Sequence, residues 1–208
     1  MSRITTVYGS TGSGKSTFTK RALQGARRVI VFDTQDEYEA QGFVRCTSMA
    51  EVFEGAMADD WRGYRIAYAP DGEADMVAEL HHLARGLRAS QKAAGGMPAT
   101  LVIEEANRGY PNQQMPADRR GVQALVLQGR HENINILAVS QRPSNVNPDL
   151  RGNADRMVVF RLPSKLDRQR LADEVGHEYI NDFRRLKDHE YMLFERSEFI
   201  AKKSNFPI

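Results

Sequence analysis

The chain has 208 residues, of which 41% are hydrophobic and 27% charged. These values predict one domain spanning 1–208 with a substantial core. The 29 basic and 27 acidic residues give a net charge of +2, which does not by itself indicate a nucleic-acid binder, although a local basic stripe would still serve one. The single cysteine, Cys46, excludes an internal disulfide and favours a reducing compartment. We find no signal peptide and no apolar run of the ~18 residues that a membrane span needs, and therefore expect a soluble intracellular protein.

The first predicted strand, Ile4 to Tyr8, leads into a segment that matches G-x-x-x-x-G-K-[ST], and a helix from Lys15 to about Gln24 follows. Small residues let backbone N–H groups curl around a phosphate at the helix N-terminus. Lys15 would reach the β- and γ-phosphates of ATP, and the Ser16 hydroxyl would bind Mg²⁺. The alternative is a flexible turn without a ligand. The predicted ATP-binding residues are Gly9, Ser10, Thr11, Gly12, Ser13, Gly14, Lys15, Ser16 and Thr17.

The run Arg28 to Asp33 predicts a buried strand that ends in an acid. In a parallel sheet the carboxyl ends of strands form the ligand crevice, so Asp33 would face the nucleotide, unless it only caps the next turn. A strand over Tyr64 to Ala69 and a helix from Asp75 to about Ser90 follow. His81 and His82 are adjacent on that helix, too far apart in angle to share a metal, and are expected to be solvated or capping.

The apolar strand that begins at Thr100 ends in two adjacent carboxylates, Glu104 and Glu105. Buried carboxylates need partners, and a phosphate-bound Mg²⁺ is one. The pattern resembles a Walker B motif, in which Glu104 would hold the metal through water and Glu105 would orient and deprotonate the attacking water. Most such motifs carry Asp at the first position, so the division of roles is open. The alternative is a pair of acids at an exposed strand end.

A polar loop, Asn107 to Ala117, is long and is expected to be functional or mobile. A helix from about Asp118 to Arg130 precedes the strand Ile134 to Ser140, which would deliver Gln141 to the same edge as Glu104 as a polar sensor of the γ-phosphate or water. Two prolines predict that neither a helix nor a central strand continues through 142–148.

The remaining chain predicts two strands and two helices. The strands are Arg156 to Arg161 and Tyr191 to Phe194, and the helices are Lys165 to Val175 and about Ile180 to Leu186. The fold class is therefore α/β, with a mostly parallel central sheet flanked by helices. The core would cover about 2–162, with a helical and strand extension over about 163–208.

Taken together, these motifs resemble one group of proteins. The features are the P-loop (Gly9 to Ser16), the strand ending at Asp33 with Glu37-Tyr38 after it, the pair Glu104-Glu105, and Gly129-Arg130 before the strand ending in Ser140-Gln141-Arg142-Pro143. In this combination the chain is similar to the FtsK/HerA superfamily of DNA-pumping ATPases. The short single-domain form resembles the genome-packaging ATPases of membrane-containing icosahedral viruses. The resemblance covers about 2–162.

That resemblance implies a RecA-like P-loop NTPase core, a ring of six subunits, and double-stranded DNA in the pore. It also implies that Arg130 acts as a finger on the neighbouring subunit's nucleotide, where a guanidinium can contribute about 10³ to 10⁵ in rate. Arg142 and Arg151 are competitors, and Arg130 could instead be a plain helix-end arginine. DNA contacts would be phosphate-directed. Our candidates for them are the loop Asn107 to Ala117, Arg108, Arg119 and Arg120.

The leading hypothesis is a viral motor that hydrolyses ATP to pump double-stranded DNA into a capsid. It would work in the host cytoplasm or on the virion, with capsid or membrane-protein vertex components as candidate partners. The alternatives are a secretion, phage-assembly or conjugation-type ATPase with the same core, a P-loop kinase acting on a small acceptor, and a nucleotide switch that does not hydrolyse.

Overall fold

The computed structural model of the protein describes residues 3–196 and 200–205; residues 1–2, 197–199 and 206–208 of the predicted domain lie outside the described residues. Within the described ranges, nine strands form one sheet. The strands are β1 (Ile4–Tyr8), β2 (Arg28–Phe32), β3 (Val44–Cys46), β4 (Tyr64–Tyr68), β5 (Ala99–Ile103), β6 (Ile134–Ser140), β7 (Arg156–Val159), β8 (Glu190–Glu195) and β9 (Ile200–Asn205). The helices are α1 (Lys15–Ala22), α2 (Met49–Met57), α3 (Met76–Ala93), α4 (Ala106–Gly109), α5 (Gly121–Gln128), α6 (Pro148–Gly152), α7 (Lys165–Val175) and α8 (Asp182–Arg185).

The strand order across the sheet is β3-β4-β2-β5-β6-β1-β7-β8-β9. All pairings from β3 to β7 are parallel, and β8 and β9 add to β7 in antiparallel fashion. The α/β P-loop NTPase fold expected from the sequence is confirmed. In the centre, Val31 of β2 is level with Val102 of β5, which in turn is level with Leu137 of β6. The carboxyl ends of these strands therefore finish side by side.

The central strands are buried on both faces, which explains their continuous apolar runs. Ile30 and Phe32 of β2 face a core that includes Leu80 and Leu83 of α3, whereas Val29 and Val31 belong to the core on the opposite face. This alternation follows the period of two along a strand. The second core includes Leu23 from the end of α1, so the helix after the glycine-rich segment is anchored to the sheet.

Several element boundaries differ from the sequence-based expectations. The predicted helix from Asp118 to Arg130 is only α5, because single 3₁₀ turns at Ala117–Arg119 and Gly129–Glu132 flank it. As expected, no α-helix or strand continues through 142–147, which contains a single 3₁₀ turn at Pro143–Asn145, and Pro148 begins the new helix α6 at the first helical position, where its missing N–H costs nothing. The strand over Tyr191 to Phe194 is confirmed as β8, but β9 was not predicted.

Two smaller expectations can also be assessed. Cys46 is buried as a small apolar residue in β3. His81 is not solvated: it is 4% exposed, and its Nδ1 accepts a hydrogen bond of 2.8 Å from the backbone N–H of Gly121, the first residue of α5. His81 therefore caps a neighbouring helix rather than its own, while His82 is exposed.

None of the helices in the described ranges combines the length and the apolar character that crossing a membrane requires.

Candidate nucleotide site

Four adjacent parallel strands, β2, β5, β6 and β1, bring the predicted site residues to one edge of the sheet. Asp33 follows β2, Glu104 and Glu105 follow β5, Gln141 follows β6, and the glycine-rich segment follows β1. These groups line a common cleft of about 120 Å³ that also includes Lys15 and Ser16. The sheet topology thus assembles a candidate nucleotide site from positions up to 130 residues apart in sequence.

The glycine-rich segment has the backbone of a phosphate-binding loop. Gly12 and Gly14 have φ angles of 72° and 111°, which L side chains rarely adopt. Gly9 is required for a different reason, because a Cβ there would lie 2.6 Å from the Cβ of Phe160 and 2.7 Å from Oγ of Ser13. Gly14 is the N-cap of α1. The backbone N–H groups of Gly9, Ser10 and Ser13 bond to carbonyl oxygens of the protein, so the part of the loop suited to an anion is its end at Gly14, where the positive end of the α1 dipole lies.

Lys15 is 8% exposed, and its Nζ donates a 3.0 Å hydrogen bond to the carbonyl oxygen of Ser10 within the loop. Burial lowers the pKa of Lys15, while the nearby carboxylates of Glu105 and Glu104 raise it. Ser16 and Thr17, in the first turn of α1, are exposed. A buried ammonium group beside a glycine-rich loop at a helix N-terminus is suited to a bound phosphate.

Glu104 is held by a tyrosine. The Tyr38 hydroxyl donates a 2.5 Å hydrogen bond to Oε1 of Glu104, and Tyr38 itself is 1% exposed. Burial is the main cause that raises the pKa of Glu104 to about 7; the charges of Asp33 and Glu105 add to this, and the Tyr38 hydrogen bond opposes it. A bound cation would relieve this cluster of acids, because it favours their charged forms.

Asp33 caps the turn after β2 and also lines the cleft, so the two possibilities that the sequence left open do not exclude each other. Its Oδ2 accepts hydrogen bonds from the backbone N–H groups of Glu37 (2.9 Å) and Tyr38 (3.0 Å), so it caps the turn after β2. Its Oδ1 is buried without a hydrogen-bond partner, and the side chain lines the cleft. Burial raises the pKa of Asp33, whereas the backbone hydrogen bonds lower it. By fixing Tyr38, Asp33 also helps to fix Glu104.

Glu105 has a strained backbone, with φ 46° in the left-handed region, and it begins the short helix α4. Its Oε1 accepts hydrogen bonds from Nε2 of Gln141 (2.9 Å) and Nε2 of Gln35 (3.4 Å). The amide oxygen of Gln141 in turn accepts a 2.7 Å hydrogen bond from the Thr11 hydroxyl. The structure therefore joins the predicted sensor Gln141 to the predicted base Glu105 and to the glycine-rich loop.

The residues of the cleft fit Mg²⁺ bound largely through phosphate. Its available protein ligands are oxygens, from Ser16, Glu104 and Asp33, which suit this hard cation. The buried Asp33 Oδ1 has no hydrogen-bond partner among residues 3–196 and 200–205. In the described part of the chain, no group of three or more His, Cys, Asp or Glu side chains is placed to hold a metal ion.

The three arginines considered as fingers occupy different environments. Arg130 is half-exposed and pairs with Asp155 at the amino end of β7. Because Arg130 precedes β6, whose seven residues span roughly 20 Å, it lies at the sheet edge opposite its own glycine-rich loop. Arg142 is half-exposed, and its Nε lies 3.0 Å from Oδ2 of Asp167. Arg151 is 5% exposed and donates to backbone carbonyls, so burial makes it unavailable to a neighbour.

The polar loop after α4 is fastened to the protein. The backbone N–H of Asn112 donates to the carbonyl of Asn145 (2.7 Å), and the Asn147 amide donates to the carbonyls of Pro111 (3.2 Å) and Gln113 (3.1 Å). These bonds argue against the mobile alternative. Among the basic candidates beside the loop, Arg119 pairs with Asp75, whereas Arg108 and Arg120 are exposed.

Two residues at the site received no role from the sequence, although Tyr38 is part of the motif pattern. Tyr38 contacts Glu104 and Gln35 contacts Glu105, and both lie just after β2. The sequence signal that could have indicated a role for them is their position just after an apolar strand that ends in an acid. What the sequence did not reveal is that β2 pairs directly with β5, which brings the two segments together.

Comparison with known proteins supports the resemblance to HerA-type ATPases. The family model "Helicase HerA, central domain" matches residues 1–73. An uncharacterised protein of frog virus 3, 015R, is 27% identical over 157 residues, which cover 74% of this chain and 42% of the relative. The chain thus spans less than half the length of the curated relatives it matches.

Solved structures share the fold over the full chain. The genome-packaging NTPase B204 from Sulfolobus turreted icosahedral virus 2, in complex with AMPPCP, matches with a TM-score of 0.78 at 17% identity, covering 100% of this chain and 98% of that one. VirB4 of Thermoanaerobacter pseudethanolicus matches with a TM-score of 0.66 at 11% identity, covering 98% and 88%. The chain therefore has the P-loop NTPase fold of these proteins, and its resemblance to FtsK/HerA-type and viral packaging ATPases is confirmed.

Proposed function

We propose that this protein hydrolyses ATP to move double-stranded DNA, as a genome-packaging motor does. The observation that carries the proposal is the hydrogen-bonded set of Thr11, Gln141 and Glu105 beside Lys15, because it puts a carboxylate base and a polar sensor at a phosphate-binding loop. The likeness to B204, a viral genome-packaging NTPase in complex with AMPPCP, supports both ATP as the nucleotide and genome packaging as the function.

Each residue of the cleft has a distinct part in the proposed hydrolysis. The loop N–H groups and Lys15 would bind the β- and γ-phosphates, and Ser16 and Glu104 would hold Mg²⁺, which would neutralise charge on those phosphates. Glu105 accepts a proton from the attacking water, whose oxygen bonds to the γ-phosphorus while the bond to the β–γ bridging oxygen breaks. Gln141 orients the water. ADP and phosphate are the products.

A ring would complete this site. Arg130 is too far from its own loop to act there, so we propose that it serves the nucleotide of a neighbouring subunit. Arg108 and Arg120, exposed beside the polar loop, are our candidates for phosphate-directed DNA contacts in the pore of a hexamer. Capsid or membrane-protein vertex components would dock such a ring on a virion.

The test is ATP hydrolysis by the purified protein with and without linear double-stranded DNA, over a range of protein concentrations. We expect DNA to stimulate the rate and the rate per subunit to rise with concentration. Glu105→Gln should reduce kcat at least about 100-fold, because general-base catalysis is worth about 10² to 10⁴. Arg130→Ala should reduce it similarly, whereas the exposed Arg62→Ala should be neutral.

Other outcomes would support other functions. ADP formation that depends on a small acceptor would indicate a kinase. If the protein binds nucleotide without hydrolysing it, and Glu105→Gln does not alter this binding, the protein would be a nucleotide switch. A hydrolysis rate that does not change with double-stranded DNA but rises with protein concentration would favour a secretion or conjugation-type ATPase. The shared fold with VirB4 supports this second candidate.

A further inference from the structure

Thr11 occupies a position of the glycine-rich pattern that accepts any residue, yet its side chain reaches another strand. Its hydroxyl lies 2.7 Å from the amide oxygen of Gln141, which follows β6. Thr11 is exposed and lines the nucleotide cleft, so core packing does not explain this contact. The contact instead connects the phosphate-binding loop directly to the polar sensor.

The hydrogen-bonding capacity of its two neighbours determines which way the Gln141 amide group points. A carboxylate can only accept hydrogen bonds, so Glu105 requires the NH₂ group of Gln141 at the 2.9 Å contact to its Oε1. The amide oxygen of Gln141 then has to face Thr11. A threonine hydroxyl can donate or accept, and here it has to donate. The donor at position 11 therefore fixes the orientation of the amide group.

The same arrangement leaves one oxygen of the base available. Gln141 and Gln35 both donate to Oε1 of Glu105, and within residues 3–196 and 200–205 no hydrogen bond reaches Oε2. Oε2 can thus accept the proton of the attacking water. If the Gln141 amide turned over, its oxygen would face a carboxylate and repel it, and Glu105 would lose its better-placed donor.

We infer that Thr11 is a positioning residue for hydrolysis, whose hydroxyl holds the Gln141 amide so that Gln141 in turn holds Glu105; this inference rests on the proposed ATPase function. Thr11 bonds to the Gln141 amide, and the amide bonds to the carboxylate, so Thr11 acts on Glu105 only through Gln141. Its effect should therefore appear in the chemical step and depend on the Gln141 amide. Because the loop backbone and Lys15 bind the phosphates, nucleotide affinity should not depend on the hydroxyl.

The experiment compares Thr11→Val, which has the same shape without a donor, with Thr11→Ser, which keeps the donor. We expect Thr11→Val to lower kcat about tenfold, the effect of losing one hydrogen bond. KM and the Kd for a fluorescent ATP analogue should stay within about twofold of wild type. Thr11→Ser should retain most of the wild-type kcat. The exposure of Thr11 means that the variants should fold, which thermal unfolding checks.

A double-mutant cycle separates this role from a general loop effect. In a Gln141→Leu background, Thr11→Val should cost nothing further, because the amide it positions is gone. The inference is overturned if Thr11→Val keeps full kcat, if it costs the same in both backgrounds, or if the loss is in nucleotide affinity. These outcomes leave wild-type ATP hydrolysis intact. If the wild-type protein hydrolysed ATP no faster than Glu105→Gln, the proposed function would be overturned as well.

Discussion

Single side chains in this protein tie distant elements together, and His81 is an example outside the nucleotide cleft. Its Nδ1 accepts the N–H of Gly121, which would otherwise be a donor without a partner at the start of α5. A protonated imidazole has no lone pair to accept that bond. Burial, the main cause, and the nearby charges of His82 and Arg85 lower the pKa of His81, whereas the backbone of Arg119 and the charge of Asp118 raise it; the net lowering favours the neutral imidazole in the folded protein.

The stability of the protein should therefore depend on pH through His81. Because the pKa is lower in the folded state than in the unfolded state, its contribution is fully present above the unfolded value of about 6.5 and is lost as pH falls through the folded value. Urea unfolding between pH 7.5 and 5 should show a smaller decline in the free energy of unfolding for His81→Gln, which cannot titrate, than for wild type. The exposed His82→Gln should keep most of the decline; equal curves for wild type and His81→Gln would refute the argument.

At the scale of elements, the segment after β6 is held in place by α7. Asp167, in the first turn of α7, is 1% exposed, and its Oδ1 accepts the backbone N–H (3.1 Å) and the hydroxyl (2.6 Å) of Ser144. Its Oδ2 accepts from Nε of Arg142 at 3.0 Å. One buried carboxylate thus fastens the chain just beyond Gln141, which places α7 in the support of the sensor even though it lies past the motifs.

Removing that carboxylate should loosen the segment. Asp167→Ala removes the acceptor of the Ser144 backbone N–H and leaves the Ser144 hydroxyl only its 3.3 Å contact to Oδ1 of Asn145, so we expect the free energy of unfolding to fall by about 1–3 kcal/mol, as for a buried group left unsatisfied. Denaturant unfolding measures this. Asp173→Ala, on the exposed side of the same helix, should stay within about 0.5 kcal/mol of wild type. A similar loss in both variants would show that helix α7, not the Asp167 contact, sets the effect.

At the scale of the whole molecule, the cleft and Arg130 lie at opposite edges of the sheet. One subunit could therefore supply the loop and the next the guanidinium, as the proposed ring requires. Arg130 is half-exposed, and its partner Asp155 also accepts the backbone N–H of Ile4 at 2.9 Å, so the local structure does not depend on the arginine alone.

Mixing two inactive variants tests this arrangement. Lys15→Ala lacks the phosphate contact but keeps Arg130, and Arg130→Ala has the reverse defect. If Arg130 acts in trans, an equal mixture assembled at random should regain about a quarter of the wild-type rate per subunit with ATP and DNA, because half of the intact loops meet an intact arginine. Mixing Lys15→Ala with Glu105→Gln, which both disable the same cleft, should regain nothing. Absence of recovery in the first mixture would exclude a trans role for Arg130.

The sequence by itself determined the α/β class, the glycine-rich loop, and the strands that end at Asp33, Glu104 and Gln141, because alternation of apolar residues and glycine spacing are local properties of a chain. Only the tertiary structure decided which strands are neighbours. The adjacency of β2 and β5 brings Tyr38 to Glu104 and Gln35 to Glu105, and the adjacency of β1 and β6 brings Thr11 to Gln141. It also decided that Arg151 is buried while Arg130 stays accessible. Strand order and burial come from packing of the whole chain, and no local pattern encodes them.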